Sequence, residues 1–204
     1  MYEIGKHKFE CKSIETLDVG NLLQGRKANV LYSDPPWNAG NIKYWATMNK
    51  KMTGEEFKPL SFEDLISTIG GIIKNHVDGY VFLEVGIKQA PEIVSQLGDI
   101  IHNAKIHEVL YKGGGKWTPN AVISASTQEV YNGFNLDLTG TKCDGPILPD
   151  RCLGNVATKG DLILDPFCGL GNTGKACIKW ELEFRGNEFN SARLNRTMLG
   201  MKQW

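Results

Sequence analysis

Two short segments of the 204-residue sequence combine residue types that can bind a charged ligand and act on it. The first, residues 34–37, reads DPPW and follows the apolar residues VLYS. Proline cannot donate a hydrogen bond to a sheet ladder, so a strand here must stop at Ser33 or Asp34. The two prolines also stiffen the turn. This segment therefore predicts a carboxylate and an indole in fixed positions at the tip of a buried strand.

The second segment lies late in the sequence and is rich in glycine. Residues 162–174 read LILDPFCGLGNTG, so that a G-x-G-x-x-G pattern follows a predicted strand and opens a predicted helix. The glycines let the backbone turn tightly and approach a ligand, and the helix start offers free N–H groups. Glu188 ends the next predicted strand, where a carboxylate can accept hydrogen bonds from ribose hydroxyls. The pattern predicts nucleotide binding; the alternative is a tight turn followed by a surface glutamate.

The late position of the glycine segment argues against a dinucleotide-binding enzyme. Only sixteen residues follow Glu188, whereas an NAD-binding domain needs several further strands. The remaining strands are therefore expected from the earlier part of the chain, which puts the cofactor half last. That order is a circular permutation of the usual nucleotide-first arrangement.

Predicted strands and helices alternate along the chain, which indicates an α/β doubly wound, mostly parallel sheet in one domain over residues 1–204. Ser61 and Asp64 form a capping-box pattern at the start of one helix. Two polar stretches, residues 38–60 and 112–126, show no clear periodicity and are interpreted as long loops. Predicted strands cover residues 6–13, 27–34, 79–86, 105–112, 127–134, 161–167 and 183–189; predicted helices cover 13–25, 61–77, 89–104, 150–160, 173–181 and 190–202.

Composition narrows the class of protein. Hydrophobic residues make up 41% and charged residues 23%, and we find no apolar run near the ~20 residues that a membrane helix needs. The five cysteines are scattered and form no C-x-x-C pair, which argues against a disulfide framework or a zinc site and fits a reducing, cytoplasmic setting. A formal net charge of zero weighs against tight, unaided binding to nucleic acid.

Taken together, the two segments resemble motifs IV and I of the amino-methyltransferases, which move a methyl group from S-adenosylmethionine to an exocyclic amine of a base. The order of the motifs resembles the β class, and the tryptophan form of the first is similar to the branch that includes the MT-A70 family of N6-adenine methyltransferases. The resemblance implies a seven-stranded sheet of the Rossmann-like methyltransferase type. It also implies a circularly permuted order, with the catalytic half first and the cofactor half last.

The chemistry of methyl transfer accounts for the first segment. An exocyclic amine is a poor nucleophile because its lone pair is delocalised into the ring. Asp34 and the carbonyl of Pro35 can each accept one N–H and so aim the lone pair at the methyl group, while Trp37 offers a face for the base, worth about 1–3 kcal/mol. The alternatives are a turn cap for Asp34 and a core-packing role for Trp37. The resemblance implies the catalytic residues Asp34, Pro35, Pro36 and Trp37.

On the cofactor side, the resemblance implies that residues 165–167 cradle the methionine part, that the glycine turn lies beneath it, and that Glu188 binds the ribose. Asp34 is also expected near the methionine amino group, and Cys168 is interpreted as a small packing residue rather than a nucleophile. The cofactor-binding residues implied for S-adenosylmethionine are Asp34, Asp165, Pro166, Phe167, Cys168, Gly169, Gly171, Asn172, Thr173, Glu188, Phe189 and Asn190. No metal is implied.

The expected reaction is methylation of N6 of adenine in DNA, because the motif begins with aspartate, whereas serine is more usual in the cytosine group. RNA, cytosine N4, a small-molecule amine and a non-catalytic supporting subunit remain alternatives. Lysines and aromatic residues in the two polar stretches can grip phosphates and stack bases, and a homodimer or a partner subunit is a candidate source of target recognition. The candidate substrate-binding residues are Trp37, Asn38, Lys43, Tyr44, Trp45, Lys116 and Trp117.

Overall fold

The computed structural model of the protein describes residues 1–54, 56, 58–113, 115–129 and 136–204. In this part of the chain nine strands form one sheet, and helices cover it. The strands are β1 (Tyr2–Ile4), β2 (His7–Glu10), β3 (Ala28–Ser33), β4 (Val77–Val85), β5 (His102–Gly113), β6 (Lys116–Ser126), β7 (Lys142–Cys143), β8 (Leu162–Asp165) and β9 (Glu183–Asn187). The helices are α1 (Val19–Leu22), α2 (Ala39–Thr53), α3 (Phe62–His76), α4 (Ala90–Gln96), α5 (Ile147–Val156), α6 (Asn172–Lys179) and α7 (Ser191–Lys202).

The strands lie in the order β1-β2-β9-β8-β3-β4-β6-β5-β7. The run from β2 to β4 is parallel, whereas β6 is antiparallel to both β4 and β5. The predicted α/β class is confirmed, but the predicted number of seven strands is wrong. The β1–β2 hairpin adds to one edge by pairing with β9, and β7 adds to the other by pairing with β5. A circular permutation remains a prediction.

The apolar run in β3 follows from its place inside the sheet. Successive residues of a strand point to opposite faces, and here both faces are covered by apolar clusters. Leu31 packs into the cluster that contains Ile66 and Ile69 of α3, whereas Tyr32 packs into the cluster on the opposite face. The capping pattern at α3 is also confirmed, because the Ser61 hydroxyl oxygen accepts from the N–H of Asp64 at 3.0 Å.

The stretch 38–60 was expected to be a loop, and this expectation is wrong for most of its length, since residues 39–53 form α2. The side chain of Asn38 caps the helix by accepting from the N–H of Asn41 at 3.0 Å, and Gly54 ends it with a left-handed φ of 78°. The helical period is weak because only Ile42 and Asn49 of α2 are buried. Residues 55 and 57 lie outside the described residues.

The second expected loop, residues 112–126, is also wrong, since β6 takes up most of it. Strand β6 lies between β4 and β5, and its residues 120–126 are buried. Many of its side chains (NAVISAS) are small or polar, so the apolar pattern of the sequence did not indicate that they are buried. The strand predicted over 127–134 is not found at 127–129, and residues 130–134 lie outside the described residues.

The helices predicted over 13–25 and 89–104 are shorter in the structure, as α1 and α4. Among the described residues, no helix has the length and apolar character required to cross a membrane.

Candidate active site

Four neighbouring parallel strands each carry an acidic residue at the carboxyl edge of the sheet. Glu188 follows β9, Asp165 ends β8, Asp34 follows β3, and Glu84 is the last residue but one of β4. All four line one cavity with a volume of about 360 Å³. In open α/β sheets, ligands bind outside the carboxyl ends of the strands. The two segments singled out from the sequence therefore meet at the place where this fold binds ligands.

The DPPW turn is held by hydrogen bonds within its own neighbourhood. The indole Nε1–H of Trp37 donates to Oδ1 of Asp34 at 2.8 Å, and the backbone N–H of Trp37 donates to the side chain of Asn41 at 3.2 Å. The Trp37 ring also meets the ring of Tyr111 edge to face, with centroids 5.1 Å apart. The carboxylate and the indole are therefore oriented as one unit, as the two prolines of the turn predicted.

The glycine turn is organised around Asp165. The carboxylate accepts from the Thr173 hydroxyl at 2.6 Å and from the N–H of Phe167 at 3.1 Å. Gly171 precedes α6 with a φ of 78°, and a Cβ at this position would lie 2.6 Å from Cγ2 of Thr197. Only glycine meets both the left-handed backbone and the close approach of α7. The turn therefore opens its other side to the cavity.

Helix α2 supplies part of the cavity wall, and α7 holds it there. The side-chain amide of Asn190 donates to Oδ1 of Asn49 at 2.8 Å, and the Arg193 guanidinium lies 4.2 Å from the centroid of the Trp45 ring. Arg193 also pairs with Glu188 at 3.7 Å, while the Asn190 N–H donates to Glu188 at 2.9 Å. Glu188 and helix α2 are thus joined through Asn190 and Arg193 at the start of α7.

The four acids make the cavity electrostatically unusual. Burial raises the pKa of Asp165 to about 7 and that of Asp34 to about 6. Burial also raises the pKa of Glu84 well above its ordinary value and raises the pKa of Glu188. The Asp34 side chain is exposed, but its exposed surface lines the cavity. It is therefore surrounded by protein and confined solvent rather than by open solvent.

A cationic ligand would relieve the cost of ionising these acids, since an opposite charge nearby favours the charged form. Arg193 is the cation that lowers the pKa of Asp34 and of Glu188. Tyr44, Trp45, Met48 and Met52 supply an apolar and aromatic wall. The cavity is suited to a ligand that combines positive charge with a planar, largely apolar body.

The structure brings most of the predicted site residues onto this one cavity. The Cys168 thiol is buried, which raises its pKa and keeps it protonated. The predicted residues on the cavity wall are Asp34, Pro35, Pro36, Trp37, Tyr44, Trp45, Asp165, Pro166, Phe167, Cys168, Gly169, Asn172, Thr173, Glu188, Phe189 and Asn190.

The other predicted residues lie elsewhere. Asn38 caps α2, Gly171 packs against α7, and Lys43 is exposed. Lys116 and Trp117 belong to the start of β6, where Lys112 and Lys142 lie 5.9 and 5.5 Å from the centroid of the Trp117 ring. The start of β6 therefore carries a basic surface patch rather than part of the cavity wall; the patch contains Lys112, Lys116, Trp117 and Lys142.

Several cavity residues were missed by the sequence analysis. Glu84 left a usable signal, because it is a charged residue inside the otherwise apolar run YVFLEV. Tyr32 left one too, because it lies two residues before Asp34 on the predicted strand and so shares its face. Tyr111 and Arg193 left none, since each belongs to an element whose approach to the cavity depends on the fold.

Sequence comparison relates one part of this chain to a known protein family. A sequence model of a family described as DNA methylase, of the N6/N4 methyltransferase type, matches residues 139–198. A sequence search of curated proteins finds no match.

Three solved structures illustrate the likeness. The M1.HpyAVI–SAM complex superposes with a TM-score of 0.68 at 14% identity, over 95% of this chain and 98% of that one. TTHA0409, a putative DNA modification methylase from Thermus thermophilus in complex with S-adenosyl-L-methionine, gives 0.66 at 13% identity, over 97% and 93%. The cytosine-N4-specific PvuII DNA methyltransferase gives 0.57 at 13% identity, over 87% and 82%. The chain therefore has the α/β fold of the DNA methyltransferases, and its residues 139–198 match the DNA methylase family.

Proposed function

We propose that the protein is an S-adenosylmethionine-dependent methyltransferase that acts on the exocyclic N6 amine of adenine in DNA. The observation that carries the proposal is the meeting of the DPPW turn and the glycine turn, from adjacent parallel strands, on one cavity lined by acids. The match of residues 139–198 to the DNA methylase family supports DNA as the substrate, in preference to RNA.

The residues of the cavity fit S-adenosylmethionine. Its sulfonium and ammonium groups are positive, and Asp34 and Asp165 are acids that a cation would help to ionise. Glu188 lies one strand further along, where it would accept from ribose hydroxyls, with Phe189 and Asn190 placed for the adenine. The bound cofactor would supply an electrophilic methyl group.

The chain's own residues then position the target amine. Because the Trp37 indole occupies Oδ1 of Asp34, Oδ2 is left to accept one amine N–H, and the Pro35 carbonyl accepts the other. The new N–C bond forms as the methyl–sulfur bond breaks, and positive charge passes to the nitrogen. An ionised Asp34 stabilises that charge until the surplus proton leaves to solvent.

Cytosine N4 is the second candidate amine, because the fold also matches a cytosine-N4-specific enzyme. The aspartate at the start of the DPPW turn favours adenine, by resemblance to the N6-adenine group. The neutral net charge favours loose sequence specificity or a partner subunit that holds the DNA.

Transfer of tritiated methyl groups tests the proposal. The protein is incubated with labelled S-adenosylmethionine and separate pools of DNA, RNA and nucleosides, and the products are digested and separated. We expect label in N6-methyladenine from DNA. Label confined to N4-methylcytosine would make cytosine the target base, and label confined to RNA would make RNA the substrate. Cofactor binding without label in any pool would support a non-catalytic subunit.

Trp37→Phe tests the indole hydrogen bond. The variant keeps an aromatic face for the base but removes the N–H that donates to Asp34. We expect transfer to fall by about tenfold, since a hydrogen bond to a charged group is lost. That bond lowers the pKa of Asp34, so the acidic limb of the pH–rate profile should also move to higher pH.

Trp180→Phe is the matched control, because its indole N–H donates to Asp150 at 2.8 Å outside the cavity. The control should leave both the rate and the pH profile unchanged. An unshifted acidic limb in Trp37→Phe would contradict an electrostatic role for the indole.

A further inference from the structure

Of the four acids at the strand ends, Glu84 is the one to which the proposed reaction gives no role. It lies near the end of β4 and is 7% exposed. Ser33 of β3 pairs with Leu83 of β4, so the next residues along, Asp34 and Glu84, are neighbours across the two strands. The sheet order β9-β8-β3-β4 puts Glu84 on the opposite side of Asp34 from the two acids of the cofactor half.

The aromatic face for the base lies on the same side as Glu84. Trp37 follows β3, yet its ring meets Tyr111 of β5, and β4 and β6 lie between those two strands. The Trp37 side chain also lies next to Gly86, directly after β4, where an added Cβ would be 3.7 Å from Cβ of Trp37. A base stacked on Trp37 therefore lies over the end of β4.

The surroundings of Glu84 favour the neutral carboxylic acid. The Tyr32 hydroxyl donates to Oε1 of Glu84 at 2.6 Å, which fixes that oxygen as the acceptor and leaves Oε2 to hold a proton. In the described part of the chain, no lysine, arginine or histidine forms an ion pair with Glu84. The titratable groups that face it are themselves acids or weak acids: Tyr32, Asp34, Tyr111, Cys143, Cys152 and Asp165.

We propose that Glu84 binds the target base by donating a hydrogen bond from its protonated Oε2 to the ring nitrogen next to the exocyclic amine. This inference rests on the proposed function. The edge of the base presents a donor, the amine, beside an acceptor, N1 of adenine or N3 of cytosine. The strand ends present the complement, an acceptor at Asp34 beside a donor at Glu84.

Two substitutions distinguish a hydrogen-bond donor at Glu84 from a proton acceptor. Glu84→Ala removes the group and is expected to lower kcat/KM for DNA by 10- to 100-fold, with little change in the Kd for the cofactor. Glu84→Gln keeps an N–H donor and an acceptor for Tyr32, so it should recover most of that loss. A Gln variant as inactive as the Ala variant would show that the carboxyl acts as an anion or a proton acceptor, and would overturn the proposal.

The pH profile gives a second readout. Activity that depends on a protonated Glu84 is present at lower pH and is lost as the pH rises through the pKa of that group, which burial raises. The wild type should therefore show an alkaline limb that Glu84→Gln lacks. The same limb in both proteins would assign it to another group and contradict the proposal.

A base analogue tests the contact itself on the unaltered protein. DNA with 1-deazaadenine at the target keeps the amine but lacks the N1 acceptor; 3-deazacytosine serves the same purpose if the label appears at cytosine. We expect the wild type to lose about as much on the analogue as Glu84→Ala loses on normal DNA, and Glu84→Ala to lose little more on the analogue. If the loss on the analogue and the loss in Glu84→Ala multiply, the two act independently and the inference is overturned. Methylation of normal DNA in the same experiment would leave the proposed function intact. No transfer to normal DNA would instead remove the proposed function.

Discussion

Asp34→Ala is expected to lower methyl transfer by about 10³-fold or more, because it removes both the acceptor that orients the amine and the charge that offsets the developing cation. Asp34 follows β3 and is exposed to the cavity, so its removal takes nothing from the apolar core. The melting temperature should therefore stay within a few degrees of wild type. Single-turnover transfer to DNA and thermal unfolding measure the two effects.

Two further variants sharpen this test. Asp34→Asn keeps one acceptor for the amine but no charge, and its rate should lie between those of the wild type and the alanine variant. Asp99→Ala is the control, since Asp99 is an exposed aspartate outside the cavity and should transfer at the wild-type rate. Wild-type turnover by Asp34→Ala would remove the assigned role.

The affinity for S-adenosylmethionine is expected to rise as the pH increases from about 6 to 8. In this range Asp34 and Asp165, whose pKa values burial raises to about 6 and about 7, give up their protons and become anions. A positively charged ligand binds the ionised forms better, so binding releases protons. Calorimetry in buffers of different ionisation enthalpy measures both the Kd and the proton release.

Asp165→Asn isolates the larger of these contributions. The amide can still accept from the N–H of Phe167 and bond to the Thr173 hydroxyl, so the turn is kept while the charge is lost. A coupling of one pKa unit corresponds to about tenfold in affinity at pH 8, and the pH dependence should flatten. Asp161→Asn, at the opposite end of β8, is the matched control.

S-Adenosylhomocysteine distinguishes charge from shape, because it lacks the sulfonium cation. Its affinity should vary less with pH than that of S-adenosylmethionine. An equal dependence for both ligands would mean that the sulfonium does not face these acids.

Asp165→Asn should also raise stability at alkaline pH. The native-state pKa of Asp165, about 7, lies above its unfolded value near 3.9. Its contribution to stability is therefore fully present below the unfolded pKa of about 3.9 and is lost as the pH rises from there through about 7. The melting temperature of the ligand-free protein should therefore fall between about pH 4 and 7 and then level off, and it should fall less in Asp165→Asn.

Elements buried on both faces of the sheet were predictable from the sequence, and those that serve the cavity were not. Strand β3 and helix α3 carry unbroken or periodic apolar residues because core packing selects them. Helix α2 covers a cavity instead of the core, so most of its residues are not buried and its period is weak. Strand β6 is buried with small and polar side chains, which read as a loop.

The site followed the same division. The DPPW and glycine turns combine several unusual residues at fixed spacing, so they could be found in the chain alone. Tyr111 and Arg193 reach the cavity through pairing of distant strands and docking of α7. A single tyrosine or arginine has many roles in proteins, and its type alone does not indicate one.

The central position of β3 has a consequence for how the protein is made. Strand β3 pairs with β8, and β2 pairs with β9. Each of these pairs joins a strand from early in the sequence to one from late in the sequence. On the ribosome, the first strands must therefore wait without their partners until the last strands emerge. Closing such distant pairs is slow, so the unpaired edges of β2 and β3 stay open to aggregation until β8 and β9 have been made.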